Sequence, residues 1–196
     1  MIKKLKELHI SEVVKIHKRC FPDAQSTKFG DNFLRSFYIG HVESPNAVCY
    51  VYEIGERKIA GFITGGINIK KLSRQVAINS KFSFAFSFFM NFVKNPINTS
   101  KTLIRYVKAY IIKKPENKTF YKDNTAGLGS LAISSDCRRR GIGEKLVKVF
   151  LKELANKKVV ACRLGVDANN LSARKFYEKL GFIKLNDEGN SYIYNL

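Results

Sequence analysis

Cysteine is scarce in this sequence, and what there is does not pair. Four occur in 196 residues, Cys20, Cys49, Cys137 and Cys162, and none stands in a C-x-x-C pair. A disulfide framework and a zinc site are thereby excluded, and the four read as reduced, mostly buried thiols. The three histidines, His9, His17 and His41, have no histidine partner at i, i+4, so no metal is expected and they read as surface or helix-packing residues. A long apolar run is missing near the start. Met1-Ile-Lys-Lys-Leu-Lys-Glu-Leu-His-Ile10 is basic with no continuous hydrophobic stretch after it, which argues against a signal peptide or a membrane span and for a cytoplasmic protein. Acidic side chains are few, 16 Asp and Glu against 35 Lys and Arg, for a formal net charge of +19 and a pI near 9.9.

Such a charge attracts anions over long range, whether phosphorylated small molecules, nucleic acid or an anionic membrane surface, but it does not choose a fold. Hydrophobic residues at 45% and aromatics at 12% supply a sizeable core, so a disordered basic tail is excluded. The length suits one domain, 1–196. No internal repeat is visible.

Residues 2–5 read as a short strand, and Ser11 is placed to cap a helix with Val13, Val14, Ile16 and Cys20 on its apolar face, stopped at Pro22. A second helix is expected over about 28–41. Residues 46–53 and 58–67 are rich in β-branched and aromatic side chains and flank Gly55-Glu56-Arg57, which predicts a β-hairpin. A strand over 125–134 then leads through a basic glycine loop into an amphipathic helix from 143 to about 155, with Leu146, Val147, Phe150, Leu151 and Leu154 on one face. A strand over 159–166, a helix over 171–180 closed by Gly181, and strands over 182–185 and 192–196 complete a mixed α/β (α+β) order.

Residues 68–122 stand apart, with twelve basic side chains and one acidic, Glu116. Within them, Phe82-Ser-Phe-Ala-Phe-Ser-Phe-Phe-Met-Asn-Phe-Val93 puts Ser83, Ser87 and Asn91 on one narrow stripe of an otherwise apolar helix. After Pro96, Thr99 or Ser100 caps a further helix that ends before Pro115. This insertion reads as an extra helical pair packed on the core or on a second copy of the chain, a homodimer through 82–112. Peripheral membrane contact or a grip on substrate are the alternatives. Nucleic acid is disfavoured as a partner, because 82–92 lacks the interleaved Lys or Arg that base-stacking surfaces combine with aromatics.

The chemistry concentrates in Arg138-Arg-Arg-Gly-Ile-Gly143, between a strand and a helix. Gly141 and Gly143 let backbone approach a ligand, the N–H groups of the helix start carry partial positive charge, and Arg138, Arg139 and Arg140 add full charges, which together suit a pyrophosphate. The G-K-[ST] ending of a phosphate-binding Walker loop is missing, and Leu146 stands where a dinucleotide fingerprint has its third glycine.

The run matches the [Q/R]-x-x-G-x-[G/A] motif of the GCN5-related N-acetyltransferase (GNAT) superfamily at every specified position. Asn170-Leu-Ser-Ala173 with Phe176-Tyr-Glu-Lys-Leu-Gly-Phe182 is similar to the family's second motif, N-x-x-A-x-x-x-Y-x-x-x-G-F. The resemblance covers 128–182 well and 1–67 in outline, while 68–122 lies outside the common pattern. It implies a single GNAT domain with a mixed central sheet flanked by helices, and acetyl-coenzyme A as cosubstrate with no metal. It also implies site roles: backbone of Leu131, Ala132 and Ile133 along the pantetheine arm, Arg138, Arg139, Arg140, Gly141, Ile142 and Gly143 at the pyrophosphate, Asn170 and Ala173 at the cofactor, and Tyr177 as the acid that protonates the leaving thiolate.

The expected function is acetyl transfer from acetyl-coenzyme A to a primary amine by direct attack in a ternary complex. The positive insertion suggests an anionic small acceptor such as an aminosugar nucleotide, with peptide or protein N-acetylation as the alternative. A membrane-surface or nucleic-acid-binding module is the alternative from another class. No motif marks a general base. Asp136 and Asp167 lie near strand ends, where turn roles account for them.

Overall fold

The structure, a computed structural model, describes residues 1–68, 72, 124–185 and 190–196. The expected helical pair and dimer or membrane contact over 82–112 lie outside the described residues. Seven strands form one sheet: β1 (Ile2–Lys4), β2 (Ala47–Gly55), β3 (Lys58–Ile67), β4 (Thr125–Ile133), β5 (Ala161–Gly165), β6 (Ile183–Lys184) and β7 (Ser191–Asn195). Their order is β1-β2-β3-β4-β5-β7-β6, and every pairing is antiparallel except β4 with β5. Among the described residues the helices are α1 (Ile10–Cys20), α2 (Gln25–Lys28), α3 (Asp31–Glu43), α4 (Ile142–Asn156) and α5 (Leu171–Lys179). This is the mixed α/β architecture that the order of elements predicts.

Two apolar clusters sit on opposite faces of the sheet. Val13, Val14 and Ile16 of α1 and Leu34 and Tyr38 of α3 pack with Val51, Phe62 and Ala132. On the other face Leu146, Val147, Phe150, Leu151 and Leu154 of α4, with Tyr177 of α5, pack on Val48, Ile63, Ala126, Leu128 and Leu164. The amphipathic pattern of α4 therefore becomes a buried stripe of five side chains.

A β-bulge decides which residues of β4 face which cluster. Pairing with β3 runs Gly65↔Leu128 and then Thr64↔Ser130, so Gly129 is the extra residue. Before it, even-numbered Ala126 and Leu128 face the α4 side. After it, odd-numbered Leu131 and Ile133 do, while Ala132 joins the α1 side. One inserted residue has switched the parity of the strand.

Three sequence expectations shift at element ends. The first helix starts at Ile10, not after Ser11, because a 3-10 turn (Glu7–His9) precedes it and Lys6 N donates to His9 Nδ1 at 3.0 Å. That bond leaves Nε2 to donate to Glu53 Oε1 at 2.9 Å. Lys3 Nζ lies 2.5 Å from Glu53 Oε2, and the Lys3 and His9 bonds hold this carboxyl below the usual range. The helix expected over 28–41 is two, broken at Gly30, whose φ of 88° no ordinary side chain tolerates. The strand expected over 159–166 is shorter because only 161–165 find partners on β7.

His17 ties the α1 face together. Tyr38 Oη lies 2.6 Å from its Nδ1 and Ser26 Oγ 3.0 Å from its Nε2, so one imidazole joins α1, α2 and α3. Burial lowers its pKa to about 4, and burial also lowers that of His41. No helix among the described residues is long and apolar enough to cross a membrane.

Two predictions follow from this packing. In the unfolded chain both histidines take up protons near their ordinary pKa of 6.5, whereas folded His17 resists until about 4, so the unfolded state binds more protons in between. Urea-unfolding midpoints should fall as pH drops from about 6.5 toward about 4, with a shallower fall in His17→Gln. A Cβ at Gly65 would collide with Gly127 O and come within 2.8 Å of Phe150 Cζ, whereas one at Gly129 meets Thr64 O at an ordinary 3.4 Å. Gly65→Ala should therefore cost about 3 kcal/mol and Gly129→Ala under about 1, read from the same urea curves.

Candidate active site

The site begins where two parallel strands part. β4 and β5 pair at Thr125↔Ala161, Ala126↔Cys162 and Gly127↔Arg163, and there the pairing stops, although β4 continues to Ile133. Among the described residues, no strand pairs with that edge of β4 beyond this point, and its backbone groups face a split. Alternation tells which ones. Ser134 N donates to Ala60 O at 2.8 Å, and in an antiparallel pair the residues pointing at the partner alternate with those pointing away. Ala132, opposite Phe62, spends its backbone on β3, whereas Leu131 and Ile133 turn theirs toward the split. All three are expected along a ligand arm, and the register turns the backbone of two of them, Leu131 and Ile133, toward the split.

Beyond β4 the chain turns through Ser135–Cys137 into the glycine loop. Arg139 has φ 59° and Gly141 φ 72°, both left-handed, and Gly141 is the N-cap of α4 without a side-chain hydrogen bond to the helix. A Cβ on Gly141 would meet nothing within 4 Å among the described residues, so the space beside this residue is open. Lys145 N closes the first helical bond on Gly141 O, and the N–H groups ahead of it carry the positive end of the helix dipole. Arg139 and Arg140 are exposed at this opening. Ile142 is instead a buried core residue, so only its backbone serves the loop.

Arg138 behaves differently from its neighbours. Its Nε donates to Ile133 O at 3.1 Å, and its Nη2 lies 3.6 Å from Cys20 Sγ. The guanidinium expected at a pyrophosphate is turned back onto the end of β4.

Gly143 brings the parts together. Its missing side chain lets Phe176 Cζ approach to 3.3 Å from where a Cβ would be, with Ile133 Cγ1 at 3.8 Å, so the end of β4, the start of α4 and the middle of α5 meet. Tyr177 follows Phe176. Its ring is buried edge-on against Phe176 and Phe182 at 5.2 and 5.4 Å, and burial, then the nearby Cys162 thiol, raises its pKa, so the phenol keeps its proton. Helix α5 is fixed to β7 by Arg174 Nε donating to Tyr192 Oη at 3.1 Å and Tyr192 Oη donating to Glu178 Oε1 at 2.9 Å.

Asn170 is the N-cap of α5, its Oδ1 accepting from Ala173 N at 3.0 Å. The acceptor half of that amide is thus engaged in the helix, and Ala173 packs against the α4-side cluster. Asp136 accepts from Ser134 Oγ, and Asp167 Oδ1 accepts from Asn169 N at 2.8 Å, the turn roles expected of both. Burial pushes the Cys162 thiol up to about 12, so it is no thiolate nucleophile, and Cys137 is packed in the same apolar cluster. No cluster of metal-ligating side chains occurs among the described residues.

Sequence reading missed the Arg138 contact and the bulge at Gly129. A glycine between two apolar runs of a strand was the available signal for the bulge, whereas nothing in the sequence pairs Arg138 with Cys20.

Comparison with known proteins places this geometry. Over 67 residues the chain is 37% identical to the [ribosomal protein bS18]-alanine N-acetyltransferase of Salmonella typhimurium (strain LT2), a match that takes in 34% of this chain and 45% of that protein's length. The crystal structure of the ribosomal-protein-S18-alanine N-acetyltransferase from Escherichia coli shares the fold, with a TM-score of 0.58 and 16% identity over 100% of this chain and 92% of that one. The PaiA N-acetyltransferase of Thermoplasma acidophilum, solved in complex with coenzyme A, has a TM-score of 0.59 and 16% identity over 98% of this chain and 95% of that one. The family model for acetyltransferases matches residues 10–182, from α1 through the split, the glycine loop and α5, and the chain belongs to the acetyltransferase (GNAT) family.

Proposed function

We propose that this chain is an N-acetyltransferase that moves an acetyl group from acetyl-coenzyme A to a primary amine by direct attack while both substrates are bound. One observation carries the reading: the edge of β4 that β5 leaves is followed, after one turn and the glycine loop, by a helix N-terminus that no side chain caps. A strand edge offers an N–H and C=O ladder to an amide-bearing arm, and an open helix start offers N–H groups to phosphate. A long ligand with amides at one end and a pyrophosphate at the other fits both. The open space beside Gly141 supports the fit, since a side chain there would fill it.

On this reading Leu131 offers its backbone N–H and C=O to the pantetheine arm. The N–H groups of 141–143 and the side chains of Arg139 and Arg140 hold the pyrophosphate. Bound acetyl-coenzyme A supplies an activated thioester carbonyl. Tyr177 Oη holds the proton that a departing thiolate needs, kept in place by burial. Direct attack requires no enzyme nucleophile, which agrees with the protonated, buried state of Cys162.

For the acceptor we favour the α-amine of a peptide or protein, supported by the identity to an alanine N-acetyltransferase that acts on a ribosomal protein. An anionic amine such as an aminosugar nucleotide is the second reading, supported by the surplus of basic side chains. The cytoplasmic location expected from the sequence belongs to the same proposal.

Tyr177→Phe should lower kcat about 100-fold while the acetyl-coenzyme A Kd changes less than about twofold, measured by steady-state transfer and calorimetric titration. An unchanged kcat removes the acid role. Transfer from radiolabelled acetyl-coenzyme A to peptides with a free N-terminal alanine should exceed transfer to aminosugar nucleotides. The reverse order would install the second reading, and no binding of acetyl-coenzyme A would overturn both.

A further inference from the structure

We propose that Arg138 is a positioning residue, a clasp that fixes the end of β4 and the start of the glycine loop, and not a ligand of the cosubstrate's phosphates. The inference rests on the acetyltransferase reading for its kinetic consequences, and on contacts within the protein for its substance. Three groups close a triangle. Arg138 Nε donates to Ile133 O at 3.1 Å, Cys20 Sγ donates to the same carbonyl at 3.4 Å, and Arg138 Nη2 reaches Cys20 Sγ at 3.6 Å.

The position of that carbonyl gives the triangle its meaning. Ile133 is the last residue of β4, and its C=O points away from β3, into the side where β5 has already diverged. With no strand to pair it, the carbonyl takes its donors from Arg138, five residues on, and from Cys20, the last residue of α1. The guanidinium therefore bridges the segment 134–137 and anchors it to α1. Immediately after it, Arg139 and Gly141 adopt left-handed conformations that turn the chain into α4. A left-handed φ at a non-glycine residue persists only when its surroundings fix it. The clasp supplies one such fixed point, directly before the strained residue.

Two consequences separate a clasp from a phosphate ligand. The Ile133 carbonyl is already occupied, which leaves the N–H and C=O of Leu131 and the N–H of Ile133 for a ligand arm. The phosphate charge falls to Arg139, Arg140 and the backbone, so Arg138 should matter even to a donor that has no phosphate.

S-acetylpantetheine is such a donor. Arg138→Gln should lower kcat/KM for S-acetylpantetheine and for acetyl-coenzyme A by the same factor, about tenfold, the size expected for losing a hydrogen bond from a charged donor. Arg139→Gln and Arg140→Gln should lower it for acetyl-coenzyme A alone. Arg138→Lys, which keeps the charge but not the two-armed donor, should not rescue. A loss in Arg138→Gln confined to acetyl-coenzyme A, or a full rescue by lysine, would overturn the clasp and make Arg138 a phosphate ligand.

A second measurement does not depend on activity. In a cycle of Cys20→Ala, Arg138→Gln and the double variant, urea midpoints should be non-additive, the double variant losing less than the sum. Additive losses overturn the clasp even if no donor is turned over. Wild-type protein that transfers from neither donor overturns the acetyltransferase reading and leaves this cycle to decide the clasp.

Discussion

The structure depends on one interruption of hydrogen bonding. Parallel pairing between β4 and β5 lasts for three residue pairs and then ends, while β4 runs on to Ile133. Sheets normally satisfy every backbone group, so an edge opened in the middle of a seven-stranded sheet must be served by something else. In this fold the Ala132 backbone is spent on β3, side chains from outside the sheet take the Ile133 carbonyl, and Leu131 is left facing the split. The functional reading grows from that last remainder.

Close packing around the split is made by absent side chains as much as by present ones. Gly65 lets Phe150 of α4 press against the β3–β4 ladder, and Gly143 lets Phe176 of α5 approach the start of α4. Together these contacts set both helices against the sheet and carry Tyr177 to the same region as the glycine loop. The bulge at Gly129 completes the arrangement by switching β4 from one face pattern to the other, so that Leu131 and Ile133 pack toward the helices that frame the site. Electrostatics here is mostly local. The loop opens on the uncapped dipole of α4 with exposed Arg139 and Arg140 beside it, while the first-turn carboxylate of Glu144 is drawn to Lys148 at 2.6 Å. The larger basic surplus of 68–122 falls almost wholly outside the described residues, and its place in acceptor choice rests on sequence alone.

Much of this was readable from the chain. The hairpin of β2 and β3, the apolar stripe of α4 and the closure of α5 at Gly181 follow from periodicity and turn chemistry, because neighbours in sequence generate them. The two motifs identify the loop and Tyr177 because their residue types are tied to local backbone shapes. Where the structure adds to that reading, contacts distant in sequence intervene. Ser11 lost the cap of α1 to a turn held by His9, whose ring also reaches Glu53 on another strand. Ala132 was grouped with Leu131 and Ile133 because adjacency in sequence hides the alternation of backbone direction. Arg138 was grouped with Arg139 and Arg140 because a run of three arginines looks uniform until one of them finds a partner 118 residues away.

The sequence by itself determined the class of fold, the glycine loop before α4 and a tyrosine on the following helix, since local propensity and short-range spacing suffice for each. Only the tertiary structure decided which backbone groups of β4 are open, which arginine reaches back to the end of β4 and how deeply Tyr177 is buried. Those properties belong to pairs of residues far apart in the chain, and a register, a bulge or a shared carbonyl exists only once the strands and helices have met.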